Sequence, residues 1–385
     1  MNKVFSYTGA KKIVFGCGSL AALASHLQDL GAKNPLVVMD KNLAQVGYKD
    51  KIAGLLTAAG LKFKVYEKVV PEPPIELADE GAALAIKSKC DSVIGIGGGS
   101  AMDVAKAIAV LAANKGKAVD YLGLNKVPKP GLPKIMIPTT AGTGSEVTFT
   151  AVFLRKNLKK KEGMNSPYLF PELALLDPEL TLSLPAAPTA HTGLDALCHA
   201  IESYTSIIAS PMSEIFSLDA IMLIAANLRT AVHDGSNLAA RENMLLGSLY
   251  AGLGLANAGV TAVHSLSYPL GGRYGIGHGL ANTVLLPAVM AYNLPGALEK
   301  FAMIAEAMGE NIEELPDREA AYLAVEAVES LIEDCGVYDS LQSLGIKQDD
   351  FPALADVALT VARPLANNPR KITKEDMIEI YEDAF

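Results

Sequence analysis

Residues 1–182 alternate short β-branched runs with longer helical ones, and this alternation limits the fold more than any other feature of the chain. "PLVVMD", "FKVYEKVV", "SVIGIGGG" and "KIMIPTT" are bounded by Gly, Pro, Asp or Thr and read as strands. "SLAALASHLQDLG", "YKDKIAGLLTAAG" and "IELADEGAALAIKSK" lie between them with apolar residues at helical spacing. Strands separated by helices imply crossover connections, and hence a parallel sheet covered by helices. The pattern changes at the Pro-rich stretch "DPELTLSLPAAPTA" (177–190). Beyond it come long Ala/Leu/Met-rich segments such as "SEIFSLDAIMLIAANLRTAV" and "DREAAYLAVEAVESLIEDC", with almost no strand signal. The sequence therefore predicts an α/β domain over 1–182 and an all-helical domain over 183–385, and 385 residues suffice for two domains.

Charge and composition exclude several classes of function. A net charge of −9 leaves no basic surplus to neutralise phosphates, so a nucleic-acid partner is not expected. The one basic run, Lys159 to Lys161, reads as a solvated loop. No 18-residue apolar segment has clean flanks. "SLYAGLGLANAGVTAVHSLSYPLGG" comes nearest, but Asn257 and His264 interrupt it. The N-terminal stretch lacks a signal-peptide core, and the four cysteines form no C-x-x-C pair. A cytoplasmic protein with buried free thiols and no membrane partner is expected.

Two glycine-rich turns compete for a phosphate. "VIGIGGGSAMDVAKAIAV" (93–110) is strand, turn and helix, with Gly97, Gly98, Gly99 and Ser100 at the helix start. Free amides there favour an anion such as a pyrophosphate, although a tight strand–helix turn uses glycine equally. "FGCGSLAAL" (15–23) fits G-x-G-x-x-A, with Asp40 closing a strand farther on. Both readings give Asp40 the same task. A carboxylate at a strand end accepts from ribose hydroxyls and repels a 2′-phosphate, which predicts NAD over NADP. A third loop, "IPTTAGTGSEVT" (137–148), offers Thr139, Thr140, Thr143, Ser145 and Thr148 to a ribose or phosphate, or simply caps its own turn.

The helical half holds the second candidate site. In "HTGLDALCHAIES", Asp195 and His199 are four apart and meet on one helix face. Alone, such a pair is more often a satisfied core contact. His264 in "TAVHSLSYPLGG" and His278 in "GIGHGLANTVLLP" change that balance. One carboxylate and three imidazoles make a donor set suited to Zn²⁺ or Fe²⁺. Burying the carboxylate without a cation would be costly.

These motifs together resemble the iron-containing (group III) alcohol dehydrogenases along essentially the whole chain. The matches are "GGGSAMDVAKAIA", "PTTAGTGSEVT", "DPELTLSLP", "TGLDALCHAIESYTS", "HGLANTVLLPAVMAYN" and "NNPRKITKEDMIEIY". The resemblance implies a Rossmann-like parallel-sheet domain followed by a helical one, the dehydroquinate synthase-like fold. It implies that Gly97, Gly98, Gly99 and Ser100 bind the NAD pyrophosphate and that Asp40 sits by the adenosine ribose. It assigns Thr139, Thr140, Thr148 and Lys161 to the same cofactor, and Asp195, His199, His264 and His278 to an iron ion. Homodimers or larger homo-oligomers are usual in the family. Three positions depart from it. Tyr268 stands where many members have a second histidine, Glu72 where many have Asn, and Pro364 where some have Cys.

The chemistry this implies is hydride transfer between NAD and a short-chain alcohol, aldehyde or ketone, in a dry cleft between the domains. The cation, Fe²⁺ or Zn²⁺, acts as a Lewis acid on the substrate oxygen, and Tyr268 or a water chain carries the proton. Arg273, five residues before His278, is a candidate for an anionic substrate tail (carboxylate, sulfonate or phosphonate). Tyr268 also keeps open a hydroxyacid–oxoacid transhydrogenase with tightly held NAD.

Overall fold

The computed structural model describes residues 4–158 and 160–385. Lys159, from the basic run, lies outside the described residues, while Lys160 pairs with Glu162 at 2.7 Å and Lys161 with Glu72 at 2.6 Å.

Among the described residues, nine strands precede residue 177: β1 (Ile13–Phe15), β2 (Pro35–Asp40), β3 (Lys64–Val69), β4 (Ser92–Gly97), β5 (Gly123–Leu124), β6 (Lys134–Pro138), β7 (Thr150–Arg155), β8 (Lys160–Asn165) and β9 (Leu173–Leu176). Six form one sheet in the order β1-β9-β6-β4-β2-β3. Every pairing in it is parallel. The other three form a small sheet, β5-β8-β7. The four runs identified in the sequence are β2, β3, β4 and β6. β9 and the small sheet were not expected.

Side-chain alternation explains why the central strands are apolar throughout. Leu36, Val38, Val93 and Met136 enter the core on one face of the sheet. Val37, Met39, Ile94, Ile96, Ile135 and Ile137 enter the core on the other. Each such side chain contributes about 1.5–3 kcal/mol when fully buried, and a sheet covered on both faces needs them at every position. The Gly99–Leu111 helix lies close on β4 because Gly95 has no side chain. A Cβ there would stand 2.7 Å from the Ala105 Cβ and 2.8 Å from the Met136 Sδ.

From Ala186 onward the described residues form helices and connecting turns. Ala186–Thr205, Pro211–His233 and Leu238–Ala258 pack on one another. Small residues set their approach: Ser203 and Ser217 share a 2.7 Å hydrogen bond, and a Cβ at Gly254 would meet both hydroxyls. Pro211–His233 is long and apolar enough to cross a membrane. One face of it packs against the Ala186–Thr205 and Leu238–Ala258 helices, while Met212, Ile215 and Met222 are exposed. The segment singled out in the sequence is instead broken, bending by 104° between Leu238–Ala258 and Ala262–Tyr274.

The described chain forms two compact units, one of residues 9–140 and 145–181, the other of residues 4–8, 141–144 and 182–385. Residues 4–8 join the helices through Thr8, whose N–H donates to Asn257 Oδ1 (2.8 Å) and whose carbonyl accepts from Asn257 Nδ2 (3.0 Å). Residues 141–144 join them through a glycine contact, where a Cβ on Gly144 would lie 2.5 Å from the Gly252 Cα.

Candidate active site

Within the helical unit, three helices bring four side chains to one point. The Ala186–Thr205 helix carries Asp195 and His199 one turn apart. The Ala262–Tyr274 helix carries His264, and His278 is the first residue of the His278–Asn293 helix, after Gly277. One donor atom from each of the four lies within 4.8 Å of the other three. His199 Nε2 and His264 Nε2 are 3.1 Å apart, and Asp195 Oδ1 is 3.9 Å from both His199 Nε2 and His278 Nε2. Asp195, His199 and His264 are buried. A tetrahedral ion with bonds of about 2.1 Å needs donors roughly 3.4 Å apart, in the middle of these spacings.

The proton positions test whether the residues fit a cation. His264 Nδ1 donates to Glu202 Oε2, which leaves Nε2 a lone pair. His199 Nδ1 faces the Gly142 carbonyl at 3.4 Å, so its Nε2 is a lone pair as well. Two imidazole nitrogens 3.1 Å apart need a proton or a cation between them, and the buried carboxylate beside them asks for the same positive charge. The donors fit a divalent cation. Burial alone would raise the Asp195 pKa. The three imidazoles and the Asn282 amide outweigh it and hold the carboxyl below its ordinary range. Burial lowers the His199 pKa, opposed by the Asp195 charge.

Two residues of this site were not singled out in the sequence. Glu202 stands seven after Asp195, in line with it and His199. Asn282 stands one turn after His278, with its Nδ2 2.7 Å from Asp195 Oδ1 and 3.3 Å from the Nε2 atoms of His264 and His278. Their i+7 and i+4 spacings place them on the ligand faces, but spacing alone does not mark a lone Glu or Asn as part of a site. Tyr268 is one turn beyond His264, its ring 6.3 Å from that of His264 and 6.0 Å from that of His278. His191 is not in the group; its carbonyl packs where a Cβ on Gly279 would be, at 2.4 Å. Cys198 lies 3.7 Å from Glu202, and burial keeps it a thiol by pushing its pKa well up. Arg273 is engaged by Asp350 at 2.7 Å. Three of the four thiols are buried as expected, but Cys17 is exposed.

In the α/β unit, the glycine turns separate cleanly. The sheet changes direction between β2 and β4: the chain goes outward from β2 to β3, then returns to β4 on the other side. Ligands of open parallel sheets bind at the carboxyl ends of such strands. Asp40 ends β2 and Gly97 ends β4. Gly97 has φ 144°, a conformation for glycine, and a Cβ there would lie 2.8 Å from the Ala101 Cβ. Gly98 begins the 13-residue helix with no side-chain cap. Gly98, Gly99 and Ser100 are partly exposed. Thr139 N donates to the Gly97 carbonyl at 3.0 Å, and Thr140 Oγ1 lies 3.4 Å from where a Gly98 Cβ would stand. Asp40 Oδ1 caps its own short helix by accepting from Leu43 N at 2.9 Å, while Oδ2 turns toward Gly97. The competing turn is filled by the protein itself: Asp177 accepts from Gly18 N at 3.0 Å and from Leu20 N at 3.1 Å.

Thr148 and Lys161 each have partners of their own. Thr148 Oγ1 lies 3.4 Å from the buried Lys106 ammonium. Lys106 also pairs with Asp103 at 3.1 Å and donates to the Ser145 carbonyl at 3.0 Å. Asp103 in turn accepts from Ser145 Oγ (2.6 Å) and Val152 N (2.9 Å), so this pair fixes residues 145–152. Lys161, on β8, is held by Glu72, whose φ of 50° lies in the left-handed region where Asn is commoner.

Comparison with known proteins identifies the family. Residues 10–178 match the sequence profile of iron-containing alcohol dehydrogenase, and residues 189–385 that of the Fe-containing alcohol dehydrogenase family, C-terminal. Long-chain-alcohol dehydrogenase 1 of Geobacillus thermodenitrificans is 44% identical over 373 residues, 96% of this chain and 94% of that protein. The 1,3-propanediol dehydrogenase of Klebsiella pneumoniae is 40% identical, covering 100% of this chain and 99% of its own length. A crystal structure of 1,3-propanediol oxidoreductase superposes with a TM-score of 0.97 at 40% identity, over the full length of both chains. The chain belongs to the iron-containing alcohol dehydrogenase family of oxidoreductases.

Proposed function

We propose that the protein interconverts a short-chain alcohol and its aldehyde or ketone with NAD(H), using a divalent cation held by Asp195, His199, His264 and His278. The observation that carries this reading is the 3.1 Å approach of two imidazole Nε2 atoms beside a buried carboxylate. When bound, the cation supplies Lewis acidity toward a substrate oxygen. The chain supplies the rest. Buried walls around Asp195, His199 and His264 keep water from competing. Tyr268 Oη takes or returns the hydroxyl proton. Gly97, Gly98, Gly99 and Ser100 present amides to the pyrophosphate, with Thr139 and Thr140 beside them. Asp40 Oδ2 accepts from a ribose hydroxyl and disfavours a 2′-phosphate. Thr148 and Lys161 complete the cofactor set. In this reading residues 1–182 serve the dinucleotide and 183–385 the cation. The donor set accepts Fe²⁺ or Zn²⁺, so supply in the cell decides the occupant.

A homodimer or larger assembly fits the exposed Ile207, Ile208, Met212 and Ile215, which are costly to leave in water. A cytoplasmic location fits the free thiols. The test is NADH oxidation by the Fe²⁺- or Zn²⁺-loaded protein with a panel of short aldehydes and ketones. Turnover of at least one neutral member with NADH is expected; no turnover with any member contradicts the proposal.

A second reading, reduction of a small aldehyde with an anionic tail, shifts from Arg273 to Arg363. Arg273 is engaged by Asp350, and Arg363, with partners of its own, lies within the electrostatic reach of Tyr268. The start of the Arg363 helix is tied to the His264 helix where Ser265 Oγ donates to the Val361 carbonyl at 3.1 Å. Arg363→Ala should then lower kcat/KM for acidic aldehydes about tenfold or more relative to neutral ones, as loss of a charge-assisted bond does. Equal losses for both classes would refute it. Hydride exchange between two substrates without added NAD would instead favour a transhydrogenase.

A further inference from the structure

Glu202 is buried and has no spare acceptor capacity. Its Oε1 accepts from Thr261 N at 3.0 Å, Thr261 Oγ1 at 2.8 Å and Val263 N at 2.9 Å. Its Oε2 accepts from His264 Nδ1, with Cys198 Sγ at 3.7 Å. All these donors except Cys198 belong to the turn and first residues of the Ala262–Tyr274 helix. We infer that Glu202 is a positioning residue: it pins the His264 proton on Nδ1, keeps Nε2 a lone pair aimed at Asp195, His199 and His278, and so sets the affinity for the cation. The inference rests on the cation-binding reading above.

A competing use of the same atoms exists. Cys198, Glu202 and His264 also converge closely enough to hold a cation. That grouping would need the His264 Nδ1 atom as a ligand, yet Nδ1 is the atom whose N–H donates to Glu202. The two groupings therefore demand opposite tautomers of one histidine.

Glu202→Gln separates them without changing the shape of the side chain. Three donors face the Oε1 position, so the amide oxygen must stay there and the NH₂ must face His264. Turning the amide over would set three donors against a donor instead of one. With an N–H against Nδ1, His264 has to accept there and carry its own proton on Nε2. The proton then points at His199 Nε2, 3.1 Å away, and blocks the donor cluster.

The experiment compares the full-length wild type, Glu202→Gln and Cys198→Ser. Imidazole ¹⁵N NMR of the metal-free proteins reads the tautomer, and chelator competition reads Zn²⁺ affinity. The expected result is Nδ1–H at His264 in the wild type and Nε2–H in Glu202→Gln, with Zn²⁺ affinity about 10–100-fold weaker in that variant. Cys198→Ser should stay within about twofold of the wild type. Three outcomes overturn the inference: Glu202→Gln retaining Nδ1–H, Glu202→Gln retaining its Zn²⁺ affinity, or Cys198→Ser losing as much as Glu202→Gln. A wild type that binds no Zn²⁺ would sink the proposed function instead, and the tautomer measurement on the metal-free chain would still test the role of Glu202.

Discussion

Two carboxylates in the α/β unit meet opposite conditions. Asp40 divides its oxygens, Oδ1 to Leu43 N and Oδ2 toward Gly97. The free oxygen is the one a ribose hydroxyl would meet, and a hydrogen bond to a charged group is worth about 1.5–3 kcal/mol. Asp40→Gly should therefore erode the preference for NADH over NADPH about tenfold or more in kcat/KM. An unchanged ratio would remove Asp40 from the site. Glu146 is buried with Oε1 unpartnered, and burial pushes its pKa from 4.5 to about 7. A raised carboxyl binds its proton more tightly folded than unfolded, so its contribution is complete below 4.5 and is lost as pH rises through about 7. Glu146→Gln should flatten the fall in Tm between pH 5 and 8; parallel Tm profiles for variant and wild type would contradict this. Asp195 and His199 were legible because a four-residue spacing fixes which helix face both share. Glu202 and Asn282 fell on the same faces by the same rule. They passed unnoticed because a lone Glu or Asn on an apolar helix has no meaning until its distant neighbours, Thr261 and Asp195, are known.

At the scale of elements, the β4 strand and the Gly99–Leu111 helix form one device. Gly95 lets the helix approach, and Gly97 turns the chain into it. Gly95→Ala should cost about 1–3 kcal/mol in chemical denaturation, as overpacking does, because the Ala105 Cβ and Met136 Sδ lie under 3 Å from the added methyl. A variant as stable as the wild type would show that the helix can move away freely. Strands β2, β3, β4 and β6 were readable because five or six residues suffice for an apolar run with turn residues at its ends. β1 and β9 have three and four residues, too few for periodicity. β8, "KKEGMN", has little strand propensity and is held by its antiparallel register with β7, where Phe153 faces Glu162 and Leu154 faces Lys161.

For the whole molecule, the change from alternating elements to helices near residue 182 was visible in the sequence. The grouping of residues 4–8 and 141–144 with the helices was not. Those memberships depend on contacts across long stretches of chain, Thr8 with Asn257 and Gly144 with Gly252, which no local pattern encodes. Local pattern left the two glycine turns open and only the resemblance favoured Gly97 to Ser100, because Asp177, which fills the first turn, lies far along the chain. The gathering of Asp195, His199, His264 and His278 from three helices is what the account depends on. Its most direct test is metal content per chain, measured by mass spectrometry alongside aldehyde-dependent NADH oxidation as a chelator removes the metal. The account predicts one divalent cation per chain, activity that falls in proportion to occupancy, and no tight cation in Asp195→Asn. Undiminished turnover after the metal is gone, or wild-type metal content in that variant, would contradict it.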